Sequence, residues 1–186
     1  IKMLYKTEDC IDDKNIEDAE RKRDLAKKAF TLLRTWKTIP GLNEENEIDD
    51  VKINYWINLV REEGGKSGIL RVIDSYIGHI LANCEREKDV QWPPIIICEI
   101  IEKIRTVEIK NGFSTELYNI FGMTTRSPFD GGLIENKRSE YYKSIADSCS
   151  NIYPFVASIF YEISKLYLDM ASKEDFEAEL NRIQYQ

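Results

Sequence analysis

From Asn15 onward, apolar residues return every three or four positions. Ile16, Ala19, Ala26, Phe30, Leu33 and Trp36 form one stripe, with Glu17, Asp18 and Glu20 in its opening turn. The pattern predicts a helix that stops near Lys37, because Pro40-Gly41 forces a turn. A polar loop follows, Leu42 to Glu47. Asp49 or Asp50 then caps a second predicted helix carrying Val51, Tyr55, Trp56, Leu59 and Val60, which Gly64-Gly65 ends. A third runs from about Ser67 to Cys84, with Leu70, Ile73, Ile77, Ile80 and Leu81 on one face.

The segment after Trp92-Pro93-Pro94 admits two readings. β-branched residues at its start suit a buried strand. Against this, Ile97, Ile100, Ile101, Ile104 and Val107 follow helical spacing, and proline suits a first helical turn. No other segment offers a strand partner, so helix is predicted. Asn111-Gly112 reads as a turn, and Ser114 as the cap of a short helix through Leu117, Tyr118 and Phe121. Ile134, Tyr141, Tyr142, Ile145 and Cys149 mark another helix. The last and cleanest stripe, with Pro154 tolerated in its first turn, is Ile152, Phe155, Val156, Ile159, Phe160, Ile163, Leu166, Tyr167 and Met170, continuing or bending near Ser172 into Phe176, Ala178 and Leu180. The expected fold class is all-α, an irregular bundle of about six or seven helices. Residues 1–14 are expected to be a tail or a junction to a parent chain, and 15–186 a single helical domain.

Composition supports that class and narrows the chemistry. The 186 residues are 42% hydrophobic and 32% charged, with only 9 Gly and 5 Pro to punctuate them. No stretch approaches the roughly 20 apolar residues that cross a bilayer, and no secretory leader is visible, so no membrane partner is expected. The first residue is Ile1, which suggests a segment excised from a longer chain. The four cysteines, Cys10, Cys84, Cys98 and Cys149, are scattered singly and read as free thiols in a reducing cytoplasm.

Motif-like features are weak. Gly64-Gly65-Lys66-Ser67 resembles the end of a phosphate-binding loop, but the first glycine of that loop, four intervening residues ahead of Gly65, falls at Val60, inside a predicted helix. A helix stop with a Ser67 cap is the simpler reading. His79 is the only histidine and has no ligand partner three or four residues away, so no metal is implied. Asp49-Asp50, Glu62-Glu63 and Glu99/Glu102 read as a cap and as solvated faces. The basic run Arg21 to Lys28 could touch phosphate, yet residues 1–36 hold nine basic and eight acidic side chains, so the local field nearly cancels. Nucleic acid is disfavoured as a partner, and no cofactor is expected.

One segment stands apart. Gly122 to Gly132 concentrates hydroxyls, glycines, an arginine and an aromatic, and Thr124, Thr125, Arg126, Ser127, Phe129 and Asp130 form a candidate binding loop. In the competing structural reading, Arg126 and the hydroxyls satisfy helix ends while Phe129 plugs the core. The structural reading is preferred to binding, since fold does not fix function.

Spaced landmarks add a resemblance. Trp36-Lys37-Thr38-Ile39-Pro40-Gly41, Ile48-Asp49, Trp56, Ile77-Gly78, Leu81-Ala82, Trp92-Pro93 and Asn119 through Gly132 resemble the helical carboxyl-terminal region of large bacterial proteins, some labelled addiction-module antidote (antitoxin) proteins. The likeness spans about residues 20 to 175 and implies a toxin–antitoxin or phage-defence setting. It carries over no catalytic residue.

The first expectation is therefore a non-catalytic protein-interaction or regulatory domain that binds another protein or the rest of its parent chain. The Met123–Gly132 loop and the neighbouring Tyr141/Tyr142 region are its candidate surface. The alternatives are an enzyme with a carboxylate site assembled between helices, and a nucleic-acid-associated regulator acting through the first helix.

Overall fold

The computed structural model describes residues 21, 23, 24, 27, 28, 31, 32, 35–45, 47–86, 92–120, 122 and 125–184. The fold is all-α, as the periodicity predicts. Among the described residues six helices are delimited at both ends: α1 (Asp50–Lys66), α2 (Leu70–Leu81), α3 (Ile95–Ile104), α4 (Val107–Ile120), α5 (Leu133–Cys149) and α6 (Pro154–Gln184). Described positions from Arg21 to Thr35 are helical too, where the first stripe predicts a helix. The stripe residues Ile16, Ala19, Ala26, Phe30 and Leu33, the tail 1–14, Cys10 and Thr124 lie outside the described residues. The region expected to form one helical domain clusters into two compact units. The first runs through Glu85 and adds Thr106–Phe113; the second holds Arg86–Arg105 and Ser114–Gln186.

In the first unit, Asp49 caps α1 as predicted, its Oδ1 accepting the N–H groups of Val51 and Lys52 at 3.0 Å each. The bond from the Lys52 N–H holds the Asp49 carboxyl below the ordinary aspartate range. The end of α1 differs from expectation. Gly64 and Gly65 lie inside the helix, and Gly64 presses on Ile73, whose Cγ1 lies 2.6 Å from where a Cβ would stand. Ser67 closes α1 rather than opening α2, donating its N–H to Glu63 O at 3.1 Å, and Gly68 makes the reversal at φ +68°.

Gly112 is also not a turn. It sits within an unbroken α4, and Ser114 follows it mid-helix rather than capping a new one. A Cβ at Gly112 would fall 1.9 Å from Ser75 O, and one at Gly78 would fall 2.1 Å from Ile109 O. α2 and α4 thus cross with backbone against backbone, each supplying a glycine to the other. An interior glycine costs a helix about 1 kcal/mol relative to alanine, and the close approach offsets it. Around this crossing Ile53, Ile73, Ile77, Leu81, Ile109 and Phe113 are buried, each such side chain contributing roughly 1.5–3 kcal/mol. Thr106 starts α4: its Oγ1 accepts the Ile109 N–H at 3.3 Å and donates to Asp74 Oδ2 at 3.1 Å. Asp74 is buried, and Arg61 grips its carboxylate at 2.7 and 3.3 Å.

In the second unit, Ile95–Ile104 is a helix, not a strand, and it buries Ile97, Cys98, Ile100 and Ile101. It stops before Val107 because Arg105 turns left-handed at φ 48° and returns its N–H to Ile101 O at 3.0 Å. The main packing is α5 on α6. Tyr142 of α5 lies flat between Phe160 (centroids 6.0 Å apart) and Tyr167 (5.8 Å) of α6, and Tyr118 stacks on Tyr167 at 6.0 Å. Ser139 and Ser164 satisfy each other across the same interface at 3.0 Å. α6 runs unbroken through Ser172, 31 residues in all, about 46 Å.

Candidate functional site

The loop singled out in the sequence lies on the second half of α6. Arg126 Nη1 reaches Glu135 Oε2 of α5 at 2.9 Å and Glu174 Oε2 of α6 at 3.3 Å. Glu135 is buried and needs such a partner, since an unpaired carboxylate in an apolar interior is strongly disfavoured. Two helix side chains hold the loop backbone: Asn181 Nδ2 donates to Pro128 O at 3.2 Å, and Arg182 Nη2 to Phe129 O at 2.9 Å. Asp175 Oδ1 accepts the Gly132 N–H at 2.8 Å. Gly131, at φ +63°, and Gly132 allow this approach; a Cβ on Gly132 would fall 2.4 Å from Ala171 O.

Within the loop, Asp130 Oδ2 accepts the Ser127 N–H at 2.9 Å, and Ser127 Oγ accepts the Phe129 N–H at 3.4 Å. The polar groups of Arg126, Ser127 and Asp130 are thus engaged in shaping the turn. Thr125 is exposed. Arg126 serves structure as that reading expects, though its partners are carboxylates rather than helix-end carbonyls. Phe129 departs from that reading: it is 42% exposed and does not plug the core. The Tyr141/Tyr142 region splits, with Tyr141 exposed and Tyr142 fully buried. Burial pushes the Tyr142 phenol well above the ordinary tyrosine range.

Other chemically notable side chains have structural neighbours. Glu102 Oε2 accepts the N–H groups of Phe155 and Val156 at 2.9 and 3.2 Å, capping α6 from α3. Cys84, Cys98 and Cys149 are buried free thiols. Cys98 hydrogen-bonds to Cys149 and, with help from Ser148, lowers the Cys149 thiol to about 6 against the opposing effect of burial. Nothing in the sequence signals that contact, because 51 positions separate the two cysteines. Lys66 turns to Glu62 and Glu63 at 2.6 and 3.0 Å rather than toward a phosphate cradle. Among the described residues, no group of three or more His, Cys, Asp or Glu is placed to hold a metal ion, and no helix is long and apolar enough to cross a membrane.

The sequence pattern puts Leu166, Phe176 and Leu180 on one stripe with Tyr167 and Ala178, and the structure corrects this by turning those three to an outer face of α6. Leu166, Phe176, Leu180 and Ile183 are all exposed, between 47% and 66%. They lie opposite the face that buries Tyr167, Ala171 and Ala178. The signal was present as a second apolar spacing running along the same helix. No protein-family model matches the chain, and no curated protein or solved structure matches it.

Proposed function

We propose that this chain is a non-catalytic interaction domain, a helical scaffold that presents α6 to a protein partner. The observation that carries the reading is that α6 is apolar on two opposite faces, one buried against its own unit and one open. Exposed apolar residues scattered singly are ordinary, whereas an apolar row at helical spacing, here Leu166, Phe176, Leu180 and Ile183 with Asp169 and Lys173 between them, is the mark of a contact surface. The loop from Thr125 to Gly132 supports α6 from behind by clasping Glu174, Asp175, Asn181 and Arg182. The singly scattered cysteines support a cytoplasmic place, and the sequence resemblance supports a bacterial antitoxin or defence setting.

The reading is tested by putting the photo-crosslinking residue benzoylphenylalanine in place of Leu180, and separately of the exposed Tyr55 on α1, in the full chain in cells. Covalent adducts from position 180 with few from position 55 support it. Equal or absent adducts at both positions reject it.

A further inference from the structure

Resting on that reading, we infer that the partner of the α6 face is a second copy of this chain, bound antiparallel. Glu162, Leu166, Asp169, Lys173, Phe176, Leu180 and Ile183 are separated by alternating steps of four and three, and all are exposed. This is the spacing of a helix–helix seam, in which one row faces a partner along its whole length. Its charges determine direction. A parallel pair would place Asp169 against Asp169 and Lys173 against Lys173, like against like in a closed interface. Reversing one helix sets Asp169 opposite the partner's Lys173 and Lys173 opposite the partner's Asp169. The same register sets Leu166 opposite the partner's Phe176, twice by the two-fold symmetry.

Register follows from the same residues. Sliding by one heptad toward the carboxyl end puts Lys173 against Phe176 and Asp169 against Leu180, leaving both charges in apolar layers. Sliding the other way puts Leu166 against Asp169. Only the proposed alignment pairs apolar with apolar and acid with base in its four central layers. A single polar layer within an apolar seam commonly fixes register and orientation at some cost in stability. The overlap from Glu162 to Leu180 spans roughly 28 Å of helix, and at its two open ends Glu162 meets the partner's Leu180. So short a seam predicts weak association, with Kd in roughly the micromolar range.

The experiment is sedimentation equilibrium of the full chain at concentrations up to about 0.5 mM, with thermal melts showing that each variant stays folded. The wild type is expected to dimerise. Asp169→Lys alone and Lys173→Asp alone each create like-charge layers, and each is expected to weaken self-association at least tenfold. An equimolar mixture of the two variants restores opposite charges at both layers, so it is expected to associate as well as the wild type. A strictly monomeric wild type, or a mixture no tighter than its components, overturns the antiparallel pairing. If the monomer still forms adducts with a different protein from position 180, the second copy is wrong and the interaction domain stands; with no adducts, both fall.

Discussion

Glu102 caps a helix to which it does not belong. Its Oε2 accepts the backbone N–H of Phe155 at 2.9 Å and that of Val156 at 3.2 Å, 53 and 54 positions along the chain. The first N–H groups of a helix have no partner within it, and a carboxylate there also meets the positive end of the helix dipole. Pro154 supplies no N–H of its own and so leaves the next two amides to this one oxygen.

Glu102→Ala is accordingly expected to destabilise the protein by roughly 1–2 kcal/mol, read as a lower midpoint in chemical denaturation. Glu102→Gln keeps an acceptor and loses the charge, so its cost is expected to be smaller. Equal losses for the two variants would show that the cap is not what stabilises this end of α6.

The glycine pair at the α2–α4 crossing gives a sharper contrast. Gly78→Ala and Gly112→Ala put a methyl group about 2 Å from a backbone oxygen in the opposing helix, a clash that can be relieved only by moving a helix. Each is expected to cost about 2–3 kcal/mol despite alanine's better helix propensity. Gly65→Ala meets nothing within 4 Å and is expected to gain about 0.5–1 kcal/mol. Thermal melts of the three variants check both signs; a neutral Gly112→Ala would mean the two helices are not in close contact.

These glycines also mark where the sequence stopped being readable. Apolar periodicity places α3, α5 and α6 well, because one-sided burial leaves the same three-and-four spacing in any sequence. Gly64 and Gly112 mislead because a glycine that ends a helix and one that lets two helices touch look alike in one dimension. Ser67 has the same ambiguity between opening a helix and closing one. The carboxylates that hold distant partners are harder still. Asp74, Glu102 and Glu135 carry no local sign that Arg61, the α6 amides and Arg126 await them, and 9 to 54 residues separate the partners. The loop was singled out correctly as unusual, but its composition alone could not show that Arg126 faces inward and Phe129 outward.

Arg126→Ala leaves Glu135 buried without its guanidinium partner. The arginine is 22% exposed and its carboxylate partner 1%, so the loss is expected to be roughly 2–4 kcal/mol, toward the lower part of the range for broken buried pairs. Adding Glu135→Gln should recover part of it by removing the stranded charge. Denaturation of both variants checks this. An Arg126→Ala protein that melts like wild type yet loses a partner in a pull-down would return the loop to a binding role.

The thiol at Cys149 predicts a pH dependence whose sign can be worked out. In the folded chain it is lowered to about 6 from its ordinary 9.0, first by its hydrogen-bond contact with Cys98 and further by Ser148, whose Oγ lies 3.8 Å away, while burial opposes both. An acid strengthened by folding contributes stability in its ionised form. That contribution is fully present above the unfolded pKa and is lost as pH falls through the folded one. The wild type is therefore expected to gain stability relative to Cys149→Ala between about pH 6 and pH 9, with little change beyond. Cys98→Ala removes the first cause, so it should return the Cys149 titration toward the ordinary thiol range and flatten the pH dependence. Ultraviolet absorbance of the thiolate in the wild type and in Cys98→Ala, followed against pH with denaturation at matched points, reads both effects. A wild-type thiol that stays protonated until above pH 8 would mean that burial outweighs the Cys98 bond.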